Sequence, residues 1–224
     1  LNIRGYDNPN SPIPNARLII NKNKKIFLIT QKSKVKKIIK ERKININQIV
    51  NIRDLPNLIK SLKGKNFIVD DKSCSIFYEN IIKSKFKILD KDDPIYKLKS
   101  IKNSHEINHM IEVHKKDGLA LTKFIYWIKN INKKTITEVQ AQNKLEKFRK
   151  LSKDYLFPSF NTIAGSGSNG AIVHYRATAN NTKKISKKDI LLVDSGGQYN
   201  FGTTDVTRTI CFSNQKQIIR DRYT

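Results

Sequence analysis

No apolar run in this chain approaches the roughly 18 residues that a helix needs to cross a bilayer, and the basic stretch KKIIKERK is too short for an interfacial helix, which argues against a membrane role. Cysteine is nearly absent. Cys74 and Cys211 lie far apart, match no CxxC spacing and build no disulfide framework, so a reducing compartment, the cytosol, is expected. No charged segment followed by an apolar one and a cleavage site precedes the first element, and the first residue is Leu rather than Met; the chain reads as starting inside a longer protein. Acidic residues are the other scarcity. Against 44 Lys+Arg stand 19 Asp+Glu, a net charge of +25. The lysines recur throughout the chain among Ile and Asn, and no segment has the Lys/Arg-Gly-aromatic pattern of an RNA-binding sheet, so the charge reads as solvated surface and no specific nucleic-acid partner is expected.

What is present suffices for packed cores: 224 residues, 38% of them hydrophobic. ARLIINKNKKIFLIT (16–30) reads as two short strands joined by an Asn/Lys turn, followed by a Lys-rich helix from about Ser33. DLPNLIKSLKG is a helix with Asp54 as N-cap, proline in its first turn and glycine at its end. NFIVDD (66–71) reads as a buried-type strand and SIFYENIIKSK as a further helix. This alternation is that of α/β units, and the polar DKDDP (90–94) marks a boundary.

A helix begins after Asn103, whose spacing to Glu106 is that of a capping box. The segment contains His105-Glu106-x-x-His109, the spacing of zinc peptidases. At about 100° per residue, however, Ile107, Met110, Ile111, His114, Leu121, Ile125 and Ile128 gather on one side while His105 and His109 face the opposite way, so the pair is expected in water. His114, on the apolar side, is expected to be a hydrogen-bonded core residue. Thr135 and Glu138 fit a second capping box, opening the next helix.

After Pro158 the pattern changes to strands and turns. Gly165-x-Gly167-x-x-Gly170 matches a dinucleotide fingerprint in letters only, because a strand, AIVHY (171–175), is expected after it rather than a helix; the glycines are expected to serve a tight turn lining a pocket. ILLVDSGGQYNFGTTDVTRTICF reads as a hairpin in which Asp194 ends one arm and Asp205 starts the other. Two carboxylates brought together repel, and a divalent cation relieves the repulsion while taking the oxygen ligands it prefers. On residue types alone the alternative stands equally: Asp194 in a turn with Ser195 and Gly196, and Asp205 paired with Arg208.

SGSNGAIVHYRAT followed by LLVDSGGQYNFGTTDVTRT resembles the catalytic domain of the Xaa-Pro aminopeptidases (aminopeptidase P) of long cytosolic type, within the creatinase, prolidase and methionine aminopeptidase superfamily. LNIRGYDNPNSPIPNARLII and IKNSHEINHMIEVHKKDGLAL resemble the preceding domain and the helix that opens the catalytic one. The resemblance implies an α/β (α+β) fold: a creatinase N-terminal-like domain over 1–92, incomplete, and the N-terminal half of a pita-bread domain over 93–224, truncated at its C-terminus. It implies a metal-dependent aminopeptidase that hydrolyses the bond before a penultimate proline with a water bridging two divalent ions, most simply Mn2+. Asp194 would ligate one ion, Asp205 would bridge both, and His174 would contact substrate and stabilise the tetrahedral intermediate. Peptides with proline second would be the partners, with a homodimer as the assembly. The family's remaining ligands, a histidine and two glutamates, lie downstream of such a hairpin and have no counterpart before Thr224, so the 224 residues alone are expected to be inactive. A non-catalytic pita-bread binding module and a prolidase- or creatinase-type hydrolase are the alternatives.

Overall fold

The structure, a computed structural model, describes residues 3–131 and 135–223. Leu1 and Thr224, on which the reading of a longer chain rests, lie outside the described residues. The chain forms two compact units, Leu1–Ile101 and Lys102–Thr224.

In the first unit, β1 (Arg17–Ile20) and β2 (Ile26–Ile29) form an antiparallel hairpin, Arg17 opposite Ile29, and β3 (Ile49–Val50) adds to β2 in parallel. The expected Asn/Lys turn joins the hairpin: Lys24 N donates to the Asn21 carbonyl at 2.9 Å and Lys24 takes a left-handed φ of 61°. Because strand side chains alternate, β2 gives Phe27 and Ile29 to one apolar cluster, with Leu55, Ile59, Ile82 and Phe86, and Leu28 to another, with Val35, Ile44 and Ile49. A strand buried on both faces is why its sequence is apolar without alternation.

The Lys-rich stretch is a 3-10 turn, Lys32–Val35, continued by α1 (Lys36–Lys40). α2 (Leu55–Ser61) follows Asp54, but that side chain makes no capping bond; Asn51 instead accepts from Arg53 N and caps the short 3-10 turn that leads in. β4 (Asn66–Val69), α3 (Ile76–Lys83) and β5 (Lys87–Asp90) form a parallel two-stranded unit, and α4 (Pro94–Ser100) closes the segment. NFIVDD is therefore not a strand buried on both sides. Phe67 and Val69 turn half-buried toward Phe86, while Asn66 and Ile68 are exposed, because only one face is covered.

The second unit opens with α5 (Ser104–Asn130), capped by the expected box: Asn103 Oδ1 accepts from Glu106 N and Glu106 Oε2 from Asn103 N, both at 2.9 Å. His105 and His109 are exposed, His109 lying 5.2 Å from the Phe201 ring. The buried stripe differs from the expected one: it runs Val113, Asp117, Ala120, Leu121, Phe124 and Ile128. Ile107 and Ile111 are half exposed, and His114 is exposed with Nδ1 2.8 Å from the Met110 carbonyl. A count of apolar letters treats Asp117 as polar, whereas a buried partner lets it sit at the centre of the stripe. α6 (Glu138–Arg149) is capped by Thr137 and Gln140, not by Thr135 and Glu138. Glu138 is inward, and its carboxylate is engaged elsewhere.

β7 (Ile163–Ser166), β8 (Ile190–Ser195) and β11 (Val206–Cys211) form an antiparallel sheet in the order β11-β8-β7; β6 (Tyr155–Pro158), β9 (Gly197–Tyr199) and β10 (Gly202–Thr203) form a second in the order β10-β9-β6. α5 and α6 pack on the first sheet through Leu121, Phe124, Ile128, Ala141, Leu145, Leu191, Val193 and Ile210. α7 (Gln217–Tyr223) ends the described chain. Among the described residues no helix is long and apolar enough to cross a membrane.

Candidate metal centre

β8 turns Leu191, Val193 and Ser195, all buried, toward the helices, so Leu192 and Asp194 point to the other face of the sheet. Opposite β8 on the returning arm, Val206 pairs with Ser195 and Thr207 with Asp194. Asp205 therefore stands across from Gly196, on the same face as Asp194 and diagonal to it. The two carboxyl groups meet. Burial, the neighbouring Asp194 charge and a hydrogen bond with Asp194, in that order, hold the Asp205 carboxyl above the usual range. Thr207 Oγ1 donates to Asp194 Oδ1 at 2.8 Å. Arg208 turns away from the pair, donating Nη1 to the Thr207 carbonyl at 2.7 Å, and Asp194 lies in the strand rather than in a turn.

Gly196 makes this approach of the two arms possible. A Cβ there would stand 1.9 Å from the Thr204 carbonyl oxygen and 2.3 Å from Ser159 Oγ. Ser159 Oγ donates to that carbonyl at 2.8 Å, and Gly197 N donates to Thr204 Oγ1 at 2.9 Å, pinning the arm that leads into Asp205. Two carboxyl groups that meet on one face form a hard, anionic donor set, and such a set fits a divalent cation that takes oxygen ligands. Among the described residues, no group of three or more His, Cys, Asp and Glu side chains converges in a way that could hold a metal ion.

His174 is not on a strand. β7 runs into a 3-10 turn, Gly167–Ala171, and Ile172 N to Asn169 O and Tyr175 N to Ile172 O, both at 3.2 Å, keep turning the chain. His174 sits in the left-handed region, φ 53°, exposed beside Ile172 and Val173, which are 53% and 83% exposed. The glycines of the fingerprint serve close packing: a Cβ on Gly165 would meet the Gly170 backbone at 2.7 Å, and Gly167 has a φ of 56°. The turn runs on through residues 171–175, so the extended strand expected over AIVHY does not form.

Two buried carboxylates outside the expected metal site hold these segments. Glu138 accepts from Ser166 N (2.8 Å), Lys183 N (2.8 Å), Asn169 Nδ2 (2.9 Å) and Tyr175 OH (2.8 Å), tying both ends of the His174 segment to α6. Burial and the Glu138 bond push the Tyr175 phenol up to about 12. Asp117 takes both prongs of Arg149, Nε at 2.7 Å and Nη2 at 3.1 Å, and the Tyr199 hydroxyl at 2.7 Å. The one signal for Asp117 in the sequence is a charge set in an apolar stripe; Arg149 carries none, since at a helix end it reads as an ordinary surface residue, and Glu138 reads as a capping residue, not a buried one.

Metallopeptidase family M24 matches residues 108–224, and the Creatinase/Prolidase N-terminal domain matches residues 1–106. The probable Xaa-Pro aminopeptidase P of Coccidioides posadasii is 33% identical over 239 residues, which cover 100% of this chain and 38% of that protein. That of Paracoccidioides brasiliensis is 44% identical over 141 residues, 62% of this chain and 23% of that protein. The whole chain thus spans about 38% of the length of the Coccidioides posadasii protein. Among solved structures, the X-prolyl aminopeptidase of Caenorhabditis elegans, described as a cytosolic enzyme with a di-nuclear active site, is similar with a TM-score of 0.80 at 23% identity, over 96% of this chain and 37% of that one. The likeness shows the fold: a mixed helix and strand chain with a creatinase N-terminal-like unit followed by one of pita-bread type.

Proposed function

The chain belongs to metallopeptidase family M24, and from that premise we propose that it is part of an Xaa-Pro aminopeptidase, a metal-dependent hydrolase that releases an N-terminal residue preceding proline. The observation that carries this reading is the meeting of Asp194 and Asp205 on one face of a ribbon, in a chain similar along its whole length to proteins of that name. Residues 1–92 are the creatinase N-terminal-like domain in this reading, and 93–224 the N-terminal half of the catalytic domain. The protein acts in the cytoplasm on peptides with proline second, as a homodimer.

Asp194 and Asp205 would hold two divalent ions, Mn2+ in our reading, with Asp194 serving one and Asp205 both. Bound there, such ions lower the pKa of water toward neutrality and offset the negative charge that grows on the peptide carbonyl oxygen. His174, presented on an exposed turn, donates a hydrogen bond to that oxygen in the transition state. Gly196 keeps the space beside Asp205 free of a side chain. The 224 residues contribute two ligands, and two carboxylates bind a divalent ion weakly, so this stretch by itself lacks appreciable peptidase activity.

The test is hydrolysis of a tripeptide with proline at its second position, against the same peptide with alanine there, by the whole protein with Mn2+. Selective cleavage of the proline peptide, abolished by Asp205→Asn and lowered by His174→Ala, is expected. Equal cleavage of both peptides, or cleavage indifferent to a chelator, would overturn the reading, as would robust cleavage by the 224 residues alone.

A further inference from the structure

We propose that Arg149 is a positioning residue for the Asp194 and Asp205 pair, acting through Ser195; this rests on the metal-site reading above. Arg149 is the last residue of α6 and fully buried, as are Asp117, Ser195 and Tyr199. Its fork onto Asp117 satisfies the charge of both partners, which a buried ion pair requires. A pair serving only the helix packing could stop there. Instead Arg149 Nη2 extends a third bond, 3.0 Å, to Ser195 Oγ, the inward-facing residue between Asp194 and Gly196.

Ser195 is paired across the ribbon with Val206, the neighbour of Asp205, so the guanidinium grips the ribbon on the face opposite the two carboxylates and directly behind them. Like charges on the outer face push the arms apart. The Arg149 bond on one arm and the Ser159 bond to the Thr204 carbonyl on the other resist that separation. Arg149 thereby fixes the distance between the carboxylates that a cation would span, without touching the cation. Lysine could not substitute, because a single ammonium lacks the planar fork that reaches a carboxylate and a hydroxyl together.

The experiment is a Mn2+ titration of the full 224-residue chain, read by the EPR signal of the free ion, alongside thermal unfolding. Ser195→Ala removes one oxygen and is expected to weaken Mn2+ binding about tenfold, the usual effect of losing a group that orients a ligand. Tyr155→Phe removes a hydroxyl bonded to Glu146 at 2.6 Å and leaves the Arg149 bond to Ser195 in place, and is expected to lower the unfolding midpoint with Mn2+ affinity unchanged. Should Ser195→Ala fail to fold, Arg149→Lys makes the same prediction for affinity. If Asp194→Asn abolishes binding while Ser195→Ala or Arg149→Lys binds like the unsubstituted chain, the positioning role is wrong and the metal site stands. If the unsubstituted chain and Asp194→Asn respond to Mn2+ alike, the metal site is wrong and the positioning role falls with it.

Discussion

Tyr175 donates its phenolic proton to Glu138 Oε2 at 2.8 Å, which binds the residue next to His174 to the first turn of α6. The same carboxylate holds the backbone at Ser166 and Lys183, so one side chain closes the whole segment between them. Replacing it with alanine leaves several buried donors unpaired at about 1–3 kcal/mol each. Glu138→Ala is therefore expected to cost at least about 3 kcal/mol in urea unfolding, and to raise hydrogen exchange across residues 166–183 before the sheet itself is affected.

Alkaline pH probes the same bond. The Tyr175 phenol is raised to about 12 in the folded chain, by burial first and by Glu138 second. A raised folded value contributes stability that is complete below the unfolded value of about 10 and lost as pH rises through the folded one. The difference in unfolding midpoint between the unsubstituted chain and Tyr175→Phe should be constant at neutral pH and shrink between about pH 10 and 12. A difference that grows with pH would contradict the assigned bond.

Asp117 and Arg149 form the most deeply buried ion pair among those described, with side-chain exposures of 3% and 1%. Removing either partner strands a charge, and about 3–5 kcal/mol is expected to be lost in Asp117→Ala or Arg149→Ala. The double variant Asp117→Leu with Arg149→Met should lose much less than the two single losses together, as measured by a denaturation cycle.

Gly196→Ala forces a methyl group into the Thr204 carbonyl. Overpacking of this kind costs about 1–3 kcal/mol or more. Since the contact is with backbone, the arms must separate, so the Mn2+ response should disappear together with the stability.

Mn2+ should stabilise the unsubstituted chain in a concentration-dependent way, by about 1.4 kcal/mol of unfolding free energy at tenfold over its dissociation constant, and so raise its unfolding midpoint. Asp194→Asn and Asp205→Asn should each remove that response. A midpoint equally sensitive to Mn2+ in both variants would place the ion elsewhere.

Most local signals were readable where a contact lies within one element or one turn, the Asp54 cap excepted. The Asn103 and Glu106 box, the hairpin at Asn21 to Lys25 and the arms bearing Asp194 and Asp205 all involve neighbours in sequence. The expectations fail where a distant partner decides. Asp117 is a core residue only because Arg149 is beside it, and this shifts the buried face of α5 away from Ile107 and His114. Thr137 takes the cap because Glu138 is drawn inward to the segment around Tyr175. AIVHY has the β-branched content of a strand, yet the turn that follows β7 runs on through it. Each is a tertiary override of a local preference.

The carboxylates of Asp194 and Asp205 come from one ribbon whose tip is Asn200 and Phe201. The consequence is one of timing. Hairpin closure takes on the order of microseconds and needs no remote segment, whereas docking on Arg149 waits for two helices to assemble. The electrostatic cost of the pair is thus met at the start of folding, and the protein's own brace arrives afterwards.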